Sequence, residues 1–158
     1  MNKDFIISYI EVRFDLKESA DILIELLEDN EFKIERNVAG MEHAFIASYG
    51  SGYPVIGFLG EYDALSNSSQ VADATQPIPL VEGGNGHGCG HHALGTGAAA
   101  AAIAAKEYLK EYGLKGTIKF FGCPAEEGGS GKAFMARAGV FNGLDSIITW
   151  HPMTENKV

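Results

Sequence analysis

Between Gly86 and His92 the chain reads Gly-His-Gly-Cys-Gly-His-His, placing three of its five histidines and one of its two cysteines within seven residues. A thiolate and an imidazole together suit zinc or a similar borderline metal. The interleaved glycines let the backbone fold tightly enough to bring Cys89 and His91 to one point. Alone, a Cys-x-His pair equally describes a glycine-rich turn with solvated histidines ahead of a helix. A second candidate station is Glu126-Glu127, which follows an apolar stretch and Pro124 and precedes Gly128-Gly129. Adjacent carboxylates usually decorate surfaces. On extended backbone, however, neighbouring side chains diverge, so one acid can hold a metal while the other takes a proton from water whose pKa the metal lowers toward ~7. His151 reads singly as an ordinary histidine, and Asp63 as a cap for the segment after it. Together the four stations have the residue types needed for hydrolytic attack on a carbonyl.

The elements that would position these groups follow from periodicity. Residues 15–29 place Ala20, Leu23, Leu26 and Leu27 on one stripe, with acids opposite, which predicts a helix. Residues 32–36 alternate as a half-buried strand does. The apolar runs 44–49 and 55–59, separated by Gly-Ser-Gly-Tyr-Pro, predict two strands joined by a tight turn. Residues 64–90, rich in Ser, Asn, Gly and Pro, predict a long irregular segment, of a kind that is usually functional or disordered. A strong alanine-rich helix is expected over 92–112, stopped by Gly113. A strand over 117–122, a glycine-rich turn over 127–131, a short helix over 132–138 and a strand over 146–150 complete the reading. Strands alternating with helices predict a three-layer α/β fold, with a mixed, partly parallel sheet and helices on both faces. Ligands of such sheets gather beyond the carboxyl ends of the strands. Here three strand ends deliver Glu61 and Asp63, Glu126 and Glu127, and His151.

Other chemistries fit less well. Gly129-Ser130-Gly131-Lys132-Ala133 resembles a phosphate loop, but Ala follows the lysine and Glu126 stands where a glycine is required. Gly88-x-Gly90-x-x-Ala93 loosely matches a dinucleotide fingerprint, yet no strand leads into it. Cys89 as a nucleophile beside His91 lacks an evident third orienting group. Cys123 reads as a small buried residue. With 158 residues, 46% hydrophobic and 21% charged, the chain can build one ordinary core. Its net charge of −9 disfavours nucleic acid, and no polybasic run invites an anionic membrane. No run is long enough to span a bilayer, and the opening residues carry no export signal. With two cysteines that read as free thiols or a metal ligand, the expectation is a soluble, cytoplasmic protein.

Taken in order, Gly60-Glu61-Tyr62-Asp63-Ala64-Leu65, His87-Gly88-Cys89-Gly90-His91-His92, Pro124-Ala125-Glu126-Glu127-Gly128-Gly129 and Trp150-His151-Pro152 resemble the motifs of the di-metal aminoacylase and carboxypeptidase family. Its amidohydrolase branch, which includes aminobenzoyl-glutamate hydrolases, is the most similar. The resemblance implies Cys89, His91, Glu127 and His151 as metal ligands. It implies Glu126 as the general base, and Asp63 as the acid orienting a metal-bound imidazole. It also implies two divalent cations (zinc or manganese, with cobalt acceptable to the same donors), about 3.5–4 Å apart. The substrates implied are N-acyl amino acids with aromatic acyl groups, or small peptides.

The same resemblance carries departures. His92 stands where the branch often has Asp or Asn, and an imidazole there either adds a ligand or faces solvent. The family supplies a further ligand histidine near its C-terminus, and none follows His151. Residues 1–158 are therefore expected to form part of a catalytic domain, without the family's lid and dimerisation domain. Weak or absent turnover by this chain alone is expected, with an open sheet edge inviting self-association or a complementing C-terminal chain. The alternative expectation is a non-catalytic metal- or partner-binding remnant, or one subunit of a split enzyme.

Overall fold

A computed structural model describes residues 10–155 of the chain. The expectation about the opening residues therefore falls mostly outside the described span. Helix α1, Lys17–Asp29, buries Ala20, Leu23 and Leu27 as the stripe predicts; Ile24 is buried beside them, and Leu26 only partly. Its first-turn amides, which have no partner within the helix, find an acceptor upstream: the Glu11 carboxylate takes hydrogen bonds from the amides of Glu18 (3.0 Å) and Ser19 (2.7 Å).

Strands β1 (Lys33–Arg36), β2 (Phe45–Ser51), β3 (Val55–Glu61), β4 (Gly116–Cys123) and β5 (Ser146–Ile148) form one sheet in the order β1-β2-β4-β3-β5. β1 and β4 both run antiparallel to β2, whereas β3 runs parallel to β4 and β5. The link 52–54 is as short as expected, but β2 and β3 are not neighbours, because β4 lies between them. β4 takes that central place because both its faces are apolar. Ile118 and Phe120 point to one side and Phe121 and Cys123 to the other, all buried.

The alternation builds two cores. Phe45, Ala47, Phe58, Ile118 and Phe120 pack with α1 and with α2, His91–Glu111. On the other face Ala44, Ile46, Phe121 and Cys123 pack with Met135 of helix α4, Gly131–Arg137. Helices thus cover both faces of a mixed sheet. The carboxyl ends of β3, β4 and β5 lie on one rim.

Two elements differ from expectation. β5 stops at Ile148, and Trp150 leaves the ladder to lie against α2, where a Cβ on Gly97 would come 2.8 Å from its ring. Glu126–Gly129 is a single helical turn, α3, and not a loop. It is bounded by Ala125 (φ 57°) and Ser130 (φ 54°), both in the left-handed region that side chains rarely adopt. The missing Cβ of Gly131 makes room for this kink, since one there would sit 2.0 Å from the Pro124 carbonyl oxygen.

Residues 64–90 form no regular helix or strand, as the composition predicts, but the ends of the segment are pinned. Leu65 and Gly86 exchange two backbone hydrogen bonds of 2.9 Å, and the Ser69 amide donates to Gly84 O at 3.0 Å. The chain thereby returns from the end of β3 to the start of α2. α2 is pressed onto β3 at Gly95, where a Cβ would meet the Glu61 carbonyl oxygen at 2.5 Å. Because that neighbour is backbone, Gly95→Ala should push the helix off the sheet and cost about 1–3 kcal/mol. Thermal or urea melting checks this, and an unchanged midpoint would contradict the close fit.

Candidate metal centre

The centre is organised by Asp63, which is fully buried two residues past the end of β3 in the parallel rim. Tyr62 points the opposite way, with its hydroxyl donating to the His43 carbonyl at 2.6 Å. That anchor turns Glu61 and Asp63 to the same side. One Asp63 oxygen accepts from His91 Nδ1 at 2.9 Å, and the other from the Glu127 amide at 2.9 Å. A single carboxylate thus ties together the end of β3, the first residue of α2 and the turn α3.

Both histidines are held in the same tautomer. A carboxylate accepts only, so His91 carries its proton on Nδ1 and offers a bare Nε2. His151 Nδ1 lies 2.9 Å from the Pro152 carbonyl, which again only accepts, leaving Nε2 bare, 3.3 Å from Cys89 Sγ. Gly90, with φ +80°, makes this approach feasible: a Cβ there would press on Pro152 at 3.0 Å. The ring of His91 meets that of His151 edge-on at 5.6 Å.

Around His91 Nε2 stand Glu61 Oε2 at 3.0 Å, Glu126 Oε2 at 3.8 Å and Glu127 Oε1 at 3.8 Å. His91 Nε2, Glu61 Oε2 and Glu127 Oε1 are buried and make no hydrogen bond. Lone pairs facing lone pairs in a dry site are costly unless a cation or a proton lies among them. Two overlapping groups, Cys89/His91/His151 and Glu61/His91/Glu126, each have donor atoms within 4.8 Å of one another. Sulfur, imidazole and carboxylate donors of this kind fit a borderline or hard divalent metal. The two adjacent acids are unequal: the Glu127 side chain is 19% exposed and that of Glu126 is 43%.

Electrostatics agree with this fit. Burial alone would lower the His91 pKa, but the Asp63 hydrogen bond and the charges of Asp63, Glu61 and Glu127 outweigh it and raise the pKa above the usual histidine value. Burial, reinforced by a hydrogen bond to Glu127 and by the acids around it, pushes the Cys89 thiol up to about 11. In the metal-free chain both groups hold protons more tightly folded than unfolded. That contribution is complete below the ordinary histidine pKa of about 6.5. It is lost as pH rises through the raised His91 pKa, and further on the way to about 11 as Cys89 titrates. Metal-free protein should therefore melt at lower temperature in alkaline buffer, whereas added zinc, which takes the place of those protons, should flatten the dependence. Melting curves from pH 6 to 10 with and without zinc check this. Identical slopes would count against a cation at these atoms.

Every site residue expected from the sequence arrives here: Asp63, Cys89, His91, Glu126, Glu127 and His151. The turn α3 corrects the expectation that the two glutamates lie on extended backbone, since both sit in one helical turn. His92 joins neither candidate group among the described residues. Its ring packs on His87 with centroids 4.7 Å apart, and burial with the neighbouring imidazoles lowers its pKa. Cys123 is the buried residue expected, its thiol donating to the Phe121 carbonyl at 3.4 Å, and burial pushes it up to about 12. Both cysteines are free thiols. Glu61 and Lys132 received no role from the sequence. The usable signal was that Glu61 sits two residues before Asp63, on the same side of the strand.

Comparison with known proteins agrees with this architecture. The model of peptidase family M20/M25/M40 matches residues 57–158. A p-aminobenzoyl-glutamate hydrolase subunit of Escherichia coli (strain K12) is 54% identical over 149 residues, which cover 94% of this chain and 31% of that protein. The human Xaa-Arg dipeptidase is 36% identical over 106 residues, covering 64% of this chain and 20% of its own length. The chain therefore spans about a third or less of these curated relatives. Among solved structures, a dinuclear metal-binding peptidase of the M20 family from Bacillus subtilis superposes with a TM-score of 0.73 at 26% identity, over 90% of this chain and 38% of that one. No helix among the described residues is long and apolar enough to cross a membrane. Fold, motif order and the matched residues together make the chain a member of peptidase family M20/M25/M40.

Proposed function

We propose that this chain carries the cation centre of a hydrolase that cleaves the amide bond between an acyl group, aromatic by preference, and an amino acid. The observation that supports it most is the convergence of the bare Nε2 atoms of His91 and His151 with the Cys89 thiol and the buried carboxylate oxygens Glu61 Oε2 and Glu127 Oε1. Cys89, His91, Glu127 and His151 would hold two divalent ions, zinc or manganese being the best fits, with cobalt an acceptable substitute. Bound cations supply Lewis acidity, polarising the scissile carbonyl and easing loss of a proton from water. Glu126, the more open of the paired acids, takes that proton and passes it to the departing amine. Water oxygen joins the carbonyl carbon, the C–N bond breaks, and the products are a carboxylate and an amine. Asp63 fixes the His91 tautomer throughout. Free thiols suit a reducing compartment such as the cytoplasm.

The aromatic acyl preference rests on the name of the E. coli relative, and the test uses its substrate. The chain should bind zinc or manganese, and hydrolysis of p-aminobenzoyl-glutamate should be measured for the chain alone and with a polypeptide supplying the remaining length of that relative. Metal-dependent turnover in either case supports the proposal. A chain that binds no divalent metal under reducing conditions refutes it.

A second reading, in which turnover requires a further polypeptide, is favoured by the exposed rim of the sheet. Ile147, Ile148 and Trp150 are 43–47% exposed at and just beyond β5, which pairs through β3 alone among the described strands. Activity that appears only on mixing would select this reading.

A further inference from the structure

We infer that Glu61 is itself a cation-holding carboxylate of this centre, and that Lys132 is the residue that orients it. The inference rests on the metal-centre reading above and extends it to two residues with no assigned part. Glu61 closes β3, and its side chain is only 10% exposed. Lys132, near the start of α4, donates to Glu61 Oε1. The other oxygen, Oε2, has no hydrogen-bond donor and faces His91 Nε2 at 3.0 Å.

The tautomer decides what that short distance means. With the His91 proton on Nδ1 and donated to Asp63, Nε2 and Glu61 Oε2 are two acceptors in contact. Two bare acceptors at 3.0 Å repel in a dry site; a proton on Nε2 relieves the contact in the metal-free chain, and a cation shared by both atoms takes the place of that proton. A divalent ion bonds nitrogen and oxygen at about 2.0–2.2 Å, so donors 3.0 Å apart reach one ion together at a near-right angle. Glu126, the acid assigned above to the water proton, stands beside the same two atoms. The lysine explains why Glu61 offers one oxygen only. It neutralises part of a cluster in which Glu61, Asp63, Glu126 and Glu127 lie within a few ångströms of His91, and it turns Oε2 inward. The glycine-flanked lysine that looks like part of a phosphate loop in the sequence thus has a carboxylate partner in the fold.

Zinc titration calorimetry and the visible absorption of the cobalt-substituted chain, both under reducing conditions, test the pair on the 158-residue protein. Wild type, Glu61→Gln, Lys132→Met and Cys89→Ser are compared, with circular dichroism and metal-free melting as fold controls. Glu61→Gln should weaken zinc binding at least 10-fold and alter the cobalt spectrum, because a neutral amide replaces the charged donor. Lys132→Met keeps the carboxylate but frees it, and should weaken binding about 3- to 10-fold. If Glu61→Gln fails to fold, Lys132→Met decides the matter. Unchanged affinity and spectrum in the folded Glu61 or Lys132 variant, with binding lost in Cys89→Ser, would overturn this inference and leave the metal centre standing. Unchanged binding in Cys89→Ser as well would remove both.

Discussion

Glu126→Gln, introduced into a preparation assembled to full activity, should lower turnover by roughly 10²–10⁴-fold, the range typical of a lost general base, while bound metal and melting temperature stay near wild type. The separation follows from geometry. The Glu126 carboxylate is the more exposed of the pair and lies 3.8 Å from His91 Nε2, on the open side of the cluster. Glu127 is more enclosed, is in reach of the Cys89 thiol, and leaves one oxygen without a donor. Glu127→Gln should therefore show the opposite pattern, with metal affinity falling first and activity restored in part by excess metal. Pre-steady-state rates at saturating metal, paired with metal titrations, distinguish the two. Activity of Glu126→Gln within tenfold of wild type would show that another group takes the proton.

Asp63→Asn should be the most damaging conservative change in the molecule. The carboxylate accepts from two donors on two different elements, the ring of His91 and the amide of Glu127. An asparagine side chain has one accepting oxygen, so its amide nitrogen must face one of those donors. Relief comes only if His91 moves its proton to Nε2, which removes the lone pair from the centre. Zinc affinity should fall about 10- to 100-fold. Stability should drop by about 1–3 kcal/mol, because a buried donor loses its partner. Calorimetric titration and urea unfolding measure the two effects separately. A variant with wild-type zinc affinity would mean that Asp63 does not set the tautomer.

Much of this was legible in the residues. The stripe Ala20, Leu23, Leu27 fixes α1, the alanine run fixes α2, and the apolar block 117–122 marks the central strand. The rule that parallel strands present ligands beyond their carboxyl ends located Asp63, the Glu126–Glu127 pair and His151 on one rim. Strand order was not legible, because the short link 52–54 looks like a hairpin turn, and only the two-sided burial of β4 explains why it separates β2 from β3. The helical turn at Glu126 was hidden for a related reason. It needs left-handed Ala125 and Ser130, which tertiary packing against Gly131 imposes and local propensity opposes. Glu61 was visible at a strand end but received no role, because its partner Lys132 lies 71 residues further along the chain.

The clasp at the base of residues 64–90 has a consequence for how the protein tolerates change. Leu65 and Gly86 hold each other through two backbone hydrogen bonds, so the approach to Cys89 and His91 is fixed at the clasp, ahead of the tip of the segment. Lengthening the segment costs little, since each doubling of a flexible loop adds only about 0.6 kcal/mol of closure entropy. The tip between 72 and 77, beyond the Val71–Ile78 backbone hydrogen bond, is thus a natural insertion point, where foreign sequence can be grafted beside the centre without redrawing it.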